Sequence, residues 1–276
     1  EANLPKEVPL VTTKLDGSMG ILYQYDGKVW MATRGSFASD QAKWATDWIR
    51  ERLVAFDWVE QSKTAIFEVI FKENRIVVDY DFDGCVLIGG MENASGKEVS
   101  REELEDFARL NNLPIVQKFN KTLAECAAED NPNEEGYVLT YASTGLKVKV
   151  KFAEYVRLHR VLTGLNPKAI WELLAKKADS TVDLWVTDEK MPDGFKKWLS
   201  GWVVQLRERY AAIEAQAKEV FVAKPEGTRK DVALYFQKTP QLCSVLFAML
   251  DGKQYDEIIW DKIKPKASDT FKVDGE

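Results

Sequence analysis

The run Leu146-Lys147-Val148-Lys149-Val150-Lys151 limits the fold of this chain more than any other stretch. Strict apolar/charged alternation has the two-residue period of a strand, so Lys147, Lys149 and Lys151 share one face and Leu146, Val148 and Val150 the other. Just ahead of it, Glu135-Gly136-Tyr137-Val138-Leu139-Thr140-Tyr141 reads as a partner strand, joined by a short turn. Three amines on one face repel unless a polyanion lies over them. A solubilising or edge-guarding strand face carries the same pattern.

The rest of the first half is also strand-rich. Gly17-Ser18-Met19-Gly20 leads into Ile21–Tyr25, Asp26-Gly27 is a hairpin turn, and Lys28–Ala32 returns. Ala65–Phe71 is a strand candidate that Arg75–Val78 continues, and Cys85–Ile88 is a further short strand. Helical periodicity marks Asp40 to about Trp58, Ser100 to about Asn111, and Leu123–Ala128. Ser100 with Glu103 three residues on suits a capping box. After about His159 the texture turns helical: Asn166-Pro167 opens one helix, Phe195 to about Phe221 forms a long one, and Lys230–Leu250 holds one or two more, broken near Thr239-Pro240. Beyond Pro265 the tail reads as loosely ordered. The expected division is a strand-rich domain over 1–160 and a helical domain over 161–276.

The chain has 276 residues, with 38 basic against 44 acidic side chains, a formal charge of −6. A general basic coat is absent, so a nucleic-acid partner needs a local lysine and arginine surface. Cys85, Cys126 and Cys243 are widely spaced and form no zinc-ligand pattern. That points to a reducing compartment, with buried thiols at Cys85 and Cys243, and the expected location is the cytoplasm. No apolar run reaches the roughly 18 residues of a membrane span, and no membrane partner is expected.

Four elements carry chemistry. Lys14-Leu15-Asp16-Gly17-Ser18 places a lysine two residues from a carboxylate and ahead of a glycine. A lysine attacks phosphorus only as the free amine, which nearby metal charge or partial desolvation favours. Asp16 could orient groups in the same pocket, and Gly17 lets backbone turn tightly beside a ligand. Taken alone, the motif equally describes a charged turn before a hairpin. Glu68, amid Ile66, Phe67, Val69 and Ile70, is costly to bury unless paired or hydrogen-bonded. It could accept from ribose hydroxyls, and a strand with one face in water gives the same pattern. Glu135, beside Glu134, could coordinate a divalent ion near phosphates, and Gly136 allows close backbone approach. The lysine stripe is the fourth element.

In this order the elements resemble the covalent nucleotidyltransferases, and within them the RNA ligase 1 family of bacteriophage T4. The matching pieces are Lys14–Ser18, Phe67-Glu68, Glu135-Gly136-Tyr137 and Lys149-Val150-Lys151. Arg34-Gly35-Ser36, Asn74-Arg75-Ile76-Val77 and Tyr155-Val156-Arg157-Leu158-His159 are family-specific pieces between and after them. The resemblance implies an α+β fold: a nucleotidyltransferase, ATP-grasp-like ligase core with antiparallel sheets, followed by an all-helical C-terminal domain. It implies an ATP-dependent RNA ligase joining 5'-phosphate and 3'-hydroxyl RNA ends through lysyl-AMP and RNA-adenylate intermediates. ATP and Mg2+, with Mn2+ as substitute, are the implied cofactors. RNA is the implied partner, with a broken tRNA anticodon loop as a candidate and an end-healing kinase/phosphatase as a candidate companion.

By matching position the resemblance makes Lys14 the nucleophile that carries AMP. Glu68 becomes the ribose ligand, and Glu135 the residue serving metal and phosphates. Lys149 and Lys151 become phosphate ligands, with Lys149 at the reacting phosphate. Asp16 and Gly17 join the nucleotide site, with Asp16 a second metal-ligand candidate. Leu87 is expected against adenine, and Arg34 on a substrate phosphate although the family more often shows lysine in that region. Lys147 matches no family lysine, and His159 is expected to be structural. The family carries a substantial region ahead of its nucleophile, whereas thirteen residues precede Lys14 in this sequence. Related alternatives are a DNA ligase or an mRNA capping enzyme, for which a β-rich domain is expected where this chain turns helical. A non-enzymatic RNA-end-binding module is a further alternative, and labelling with ATP separates it.

Overall fold

The computed structural model describes residues 4–54, 62–266 and 271. The chain forms two compact units, one ending at Leu162 and one running Thr163–Phe271.

The first unit holds two four-stranded antiparallel sheets. One has the order β6-β1-β7-β8, with β1 Leu10–Lys14, β6 Lys118–Phe119, β7 Gly136–Tyr141 and β8 Leu146–Lys151. The other has the order β3-β2-β4-β5, with β2 Ser18–Tyr25, β3 Lys28–Thr33, β4 Lys63–Ile70 and β5 Gly84–Glu92. Strands β1 and β2 belong to different sheets, so Leu15-Asp16-Gly17 carries the chain from one to the other. The hairpin at Asp26-Gly27 forms as expected, both residues taking the positive φ that such turns demand, 51° and 67°.

The second sheet buries one face under helices α1 (Asp40–Arg50) and α2 (Arg101–Leu110). Leu22, Met31, Phe67, Val69 and Leu87 from the strands meet Ala45, Ile49, Leu104 and Phe107 from the helices in one core. Each large apolar side chain removed from water there contributes about 1.5–3 kcal/mol. Ser39 caps α1 by accepting from the Ala42 N–H at 3.2 Å. Ser100 caps α2 by accepting from the Glu103 N–H at 3.2 Å, while the Glu103 carboxylate pairs with Lys63. The other expected short helix, Leu123–Ala128, is present with a full capping box from Thr122 and Glu125.

Three sequence readings differ from the structure. Leu10–Lys14 is a strand that the composition does not announce. Residues 75–78 form no strand; a 3-10 turn at Lys72–Asn74 leads into irregular backbone. The first helix ends at Arg50, and the part of its expected span from Ala55 to Trp58 lies outside the described residues, as does most of the tail beyond Pro265.

The second unit is helical throughout its described length: Pro167–Ala175, Asp179–Thr187, the 30-residue Asp193–Val222, Arg229–Phe236, Cys243–Leu250 and Asp256–Lys262. Ala217, Val232, Phe236, Val245, Leu246 and Ile259 form its core. The Trp171 indole N–H donates to the Trp260 carbonyl at 2.8 Å. Cys85 and Cys126 are buried, and Cys243 is half-buried. No described helix is long and apolar enough to cross a membrane.

Gly136 opens β7 at φ 140°, where an added Cβ would stand 2.0 Å from the Val150 carbonyl oxygen. Backbone on the neighbouring strand has nowhere to retreat. Gly136→Ala is therefore expected to lower stability by about 2–4 kcal/mol, combining backbone strain with a steric clash. Thermal melting of the variant checks this; an unchanged midpoint contradicts it.

Candidate active site

Backbone pairing brings three positions of the site into line. Lys14, the last residue of β1, pairs with Gly136, and Gly136 pairs with Lys151 of β8. Glu135 precedes β7 and sets its carboxylate between the two amines. Lys14 Nζ lies 2.7 Å from Oε2 and Lys151 Nζ 2.8 Å from Oε1. Glu135 is only 2% exposed. A carboxylate so deep is strongly unfavourable without cations beside it. The Lys151 ammonium also stands 5.0 Å from the centre of the Tyr155 ring, a favourable cation–π placement.

The lysine stripe occupies one strand face, as its alternation requires, but its members differ in surroundings. Lys151 joins Lys14 on Glu135. Lys149 is exposed and makes no ion pair among the described residues. Lys147 pairs with Glu98 at 3.1 Å and donates to the Thr140 hydroxyl oxygen at 3.1 Å.

Asp16 has a different task from the one expected. It is 5% exposed. Its Oδ2 accepts from the Val77 and Val78 N–H groups at 2.9 and 3.0 Å, and its Oδ1 accepts from the Tyr155 hydroxyl at 2.8 Å. Its own N–H donates to the Tyr80 hydroxyl oxygen at 2.8 Å. With both oxygens accepting from protein donors, Asp16 anchors the crossing between sheets, a task the sequence reading of it as a metal-ligand candidate did not include. Burial, followed by the Asp16 charge and the bond to it, raises the Tyr155 hydroxyl far above the usual tyrosine range, so it stays a donor. Burial likewise raises Tyr80.

Gly17 is also corrected in part. An added Cβ would stand 2.5 Å from the Val69 carbonyl oxygen, so its smallness serves strand approach rather than room for a ligand. Its N–H donates to Glu68 Oε1 at 3.0 Å. That bond turns the half-buried Glu68 toward the Lys14 group. Burial pushes Glu68 up to about 7; Lys14 and the Gly17 N–H oppose this, and Glu135 and Asp16 add to it.

Leu87 is fully buried in the core beside Phe67. It pairs with Phe67, whereas Val86 pairs with Glu68, so Leu87 lies on the opposite face of β5 from the site. The expected adenine contact is thereby corrected: Val86 and Ile88, clustered with Leu15, Ile70 and Tyr80, supply the apolar surface on the site side. Arg34 makes no ion pair among the described residues. It is exposed and lines an open cleft of about 510 Å³ with Ser18, Met19, Thr33 and Gln41. His159 packs its ring 5.6 Å from that of Tyr155, four residues earlier on the same helix.

Sequence reasoning missed the hydroxyls of Tyr80 and Tyr155 as partners of Asp16. The one signal for them is chemical: a motif aspartate in an apolar setting needs donors, and tyrosines near Val77-Val78 and just past the lysine stripe can provide them.

The site is thus two lysine amines on one buried carboxylate, set on strands of one antiparallel sheet. The RNA ligase family matches residues 3–155, more than half of the sequence, and the chain belongs to that family. A Thermovibrio ammonificans protein whose name places it among RNA ligases is 26% identical over 166 residues, which cover 57% of this chain and 44% of that protein. A Naegleria gruberi RNA ligase variant solved with ATP and manganese is 16% identical with a TM-score of 0.46, over 55% of this chain and 51% of that one. The same ligase solved with pyrophosphate gives 17% identity, the same coverages and a TM-score of 0.46. The chain spans about half the length of these relatives.

Glu68 makes stability depend on pH. Its carboxyl binds a proton more tightly in the folded chain than in the unfolded one, where the ordinary value is 4.5. The stability this contributes is fully present below about 4.5 and is lost as pH rises through about 7. At about 1.4 kcal/mol per tenfold change in proton affinity, it amounts to at most about 3 kcal/mol. Glu68→Gln removes the loss, so its melting temperature should gain on the wild type between pH 5 and 8. Parallel curves for the two proteins would refute this.

Proposed function

We propose that this chain carries the core of an ATP-dependent RNA ligase in which Lys14 takes up AMP as a phosphoramidate. The observation that carries the reading is the sharing of one buried carboxylate by the Lys14 and Lys151 amines, with Lys149 on the same strand face and in no ion pair among the described residues. Family membership supports the RNA substrate.

Lys14 Nζ attacks the α-phosphorus of ATP. A nitrogen–phosphorus bond forms, and the bond to the pyrophosphate oxygen breaks. An ammonium cannot attack, and the Glu135 carboxylate at 2.7 Å is the acceptor within reach of the proton that Lys14 sheds. Lys149 and Lys151 offset the charge that gathers on the phosphoryl oxygens. Glu68, with Oε1 held by the Gly17 N–H, presents Oε2 to ribose hydroxyls. AMP then passes to the 5'-phosphate of one RNA end, and the 3'-hydroxyl of the other end displaces it.

No cluster of three or more metal-ligating side chains occurs among the described residues. Glu135 as a lone carboxylate fits the way magnesium is usually held, by one or two carboxylates with substrate phosphates completing the shell. Such an ion would polarise phosphate oxygens and neutralise pyrophosphate. The helical unit Thr163–Phe271 is proposed to select the RNA, with a broken tRNA anticodon loop as the leading candidate and an end-healing kinase/phosphatase as supplier of its ends.

Incubation with ATP labelled at the α-phosphate and Mg2+, followed by denaturing electrophoresis, should give a labelled band that Lys14→Ala abolishes. Label surviving in that variant would sink the assignment. Lys149→Ala and Glu135→Ala should each slow labelling at least tenfold, the scale of losing one charge-stabilising group; near-normal rates in both would exclude the proposed roles.

A further inference from the structure

The two sheet faces that bear the site are joined at both ends. At one end the chain itself crosses, through Leu15-Asp16-Gly17. At the other end stands the ion pair between Lys147 and Glu98. Strand register fixes this arrangement, because antiparallel partners share a face. On the first sheet Lys14, Gly136 and Lys151 form one row, and Leu10, Thr140 and Lys147 form the row four residues away along the strands. On the second sheet Glu68 shares its face with Ile66 and Thr64, which pair with Gly89 and Met91. Met91 bridges to Glu98. Lys147 and Glu98 thus sit on the two site faces, roughly 13 Å along the strand from Lys151. Between them an added Cβ on Gly89 would meet nothing within 4 Å, and Lys149 makes no ion pair among the described residues.

We propose that Lys147–Glu98 is a clasp across the nucleotide cleft, and that its opening and closing set how long a nucleotide stays bound. This rests on the reading of the cleft as a nucleotide site. Both partners are nearly half exposed, 44% and 45%, so the pair can open without stranding a buried charge. The Thr140 hydroxyl accepts from Lys147 and orients the amine toward its partner. Neither residue touches Lys14, Glu135 or Lys151, so the chemical step does not depend on the clasp.

Release of radiolabelled α,β-methylene-ATP, bound with Mg2+ and chased with excess unlabelled ATP, tests this on the full chain. Glu98→Ala and Lys147→Ala should each speed release two- to fivefold, the range expected for one exposed ion pair. The double variant should be no faster than either, and the swap of Glu98→Lys with Lys147→Glu should restore slow release. Simple attraction of the nucleotide's charge predicts opposite signs for the two single variants, whereas a clasp predicts the same sign. The labelling rate of Lys14 at saturating ATP should be unchanged in Glu98→Ala. Release at the wild-type rate in both single variants, opposite signs, or additive effects would overturn the clasp while leaving the nucleotide site standing. Failure of the wild type to bind the analogue would overturn both.

Discussion

A carboxylate with 2% of its surface exposed is costly to bury unless cations stand beside it, and Glu135 has two. That need organises the unit around it. The cations come from the end of β1 and the end of β8, the strands on either side of β7, so sheet register and ion pairing specify each other. A one-residue slip of β8 would turn Lys151 away from Glu135 and bring Val150 to face it. Gly136 contributes from the backbone side: at its φ of 140°, next to Glu135, the Val150 carbonyl leaves no room for a Cβ.

Asp16 performs the corresponding task for the second sheet. Its donors come from positions 61, 62 and 139 residues away, and they tie the crossing segment, the backbone at Val77-Val78 and the helix that follows β8 to one side chain. The position of Lys14, two residues earlier, is therefore set on both sides: by Glu135 within its own sheet and by Asp16 at the crossing. An amine held this way would carry little orientational freedom into the proposed attack, which is what proximity effects require.

Much of this architecture is legible in the amino-acid sequence. The two-residue alternation of Leu146–Lys151 specifies the strand and its lysine face, and Asp26-Gly27 specifies the hairpin. Asn166-Pro167 marks the start of a helix that begins at Pro167. These signals are local, and local periodicity survives folding. The departures concern what is not local. Leu87 is expected at the site from its matching position in the family, which carries no information on strand register. The bulge at Ile66/Phe67 inserts Ile88 and reverses the alternation beyond it. Asp16 reads as a free carboxylate because its donors are distant in sequence. Strand β1 escapes notice because Leu10-Val11-Thr12-Thr13-Lys14 is short and mixed, and it is specified by pairing with β6 and β7 rather than by its own pattern.

The charges at the site bear on what it can hold. Lys14, Lys149 and Lys151 face Asp16, Glu68 and Glu135, a balance near neutrality with Asp16 already committed to protein donors. Burial lifts Glu68 toward 7, so part of its negative charge is withdrawn at neutral pH and returns where a ribose hydroxyl can donate to it. A polyphosphate brings several negative charges into this space, more than Lys149 alone can offset. The proposed reaction therefore needs two adjustments together: Glu135 must give up an amine as that amine becomes a nucleophile, and additional positive charge must arrive with the phosphates. A divalent ion carried in by the phosphates would supply that positive charge. The ion pair between Lys14 and Glu135 is then the resting arrangement of the site, and handing the Lys14 proton to the carboxylate would make the amine available.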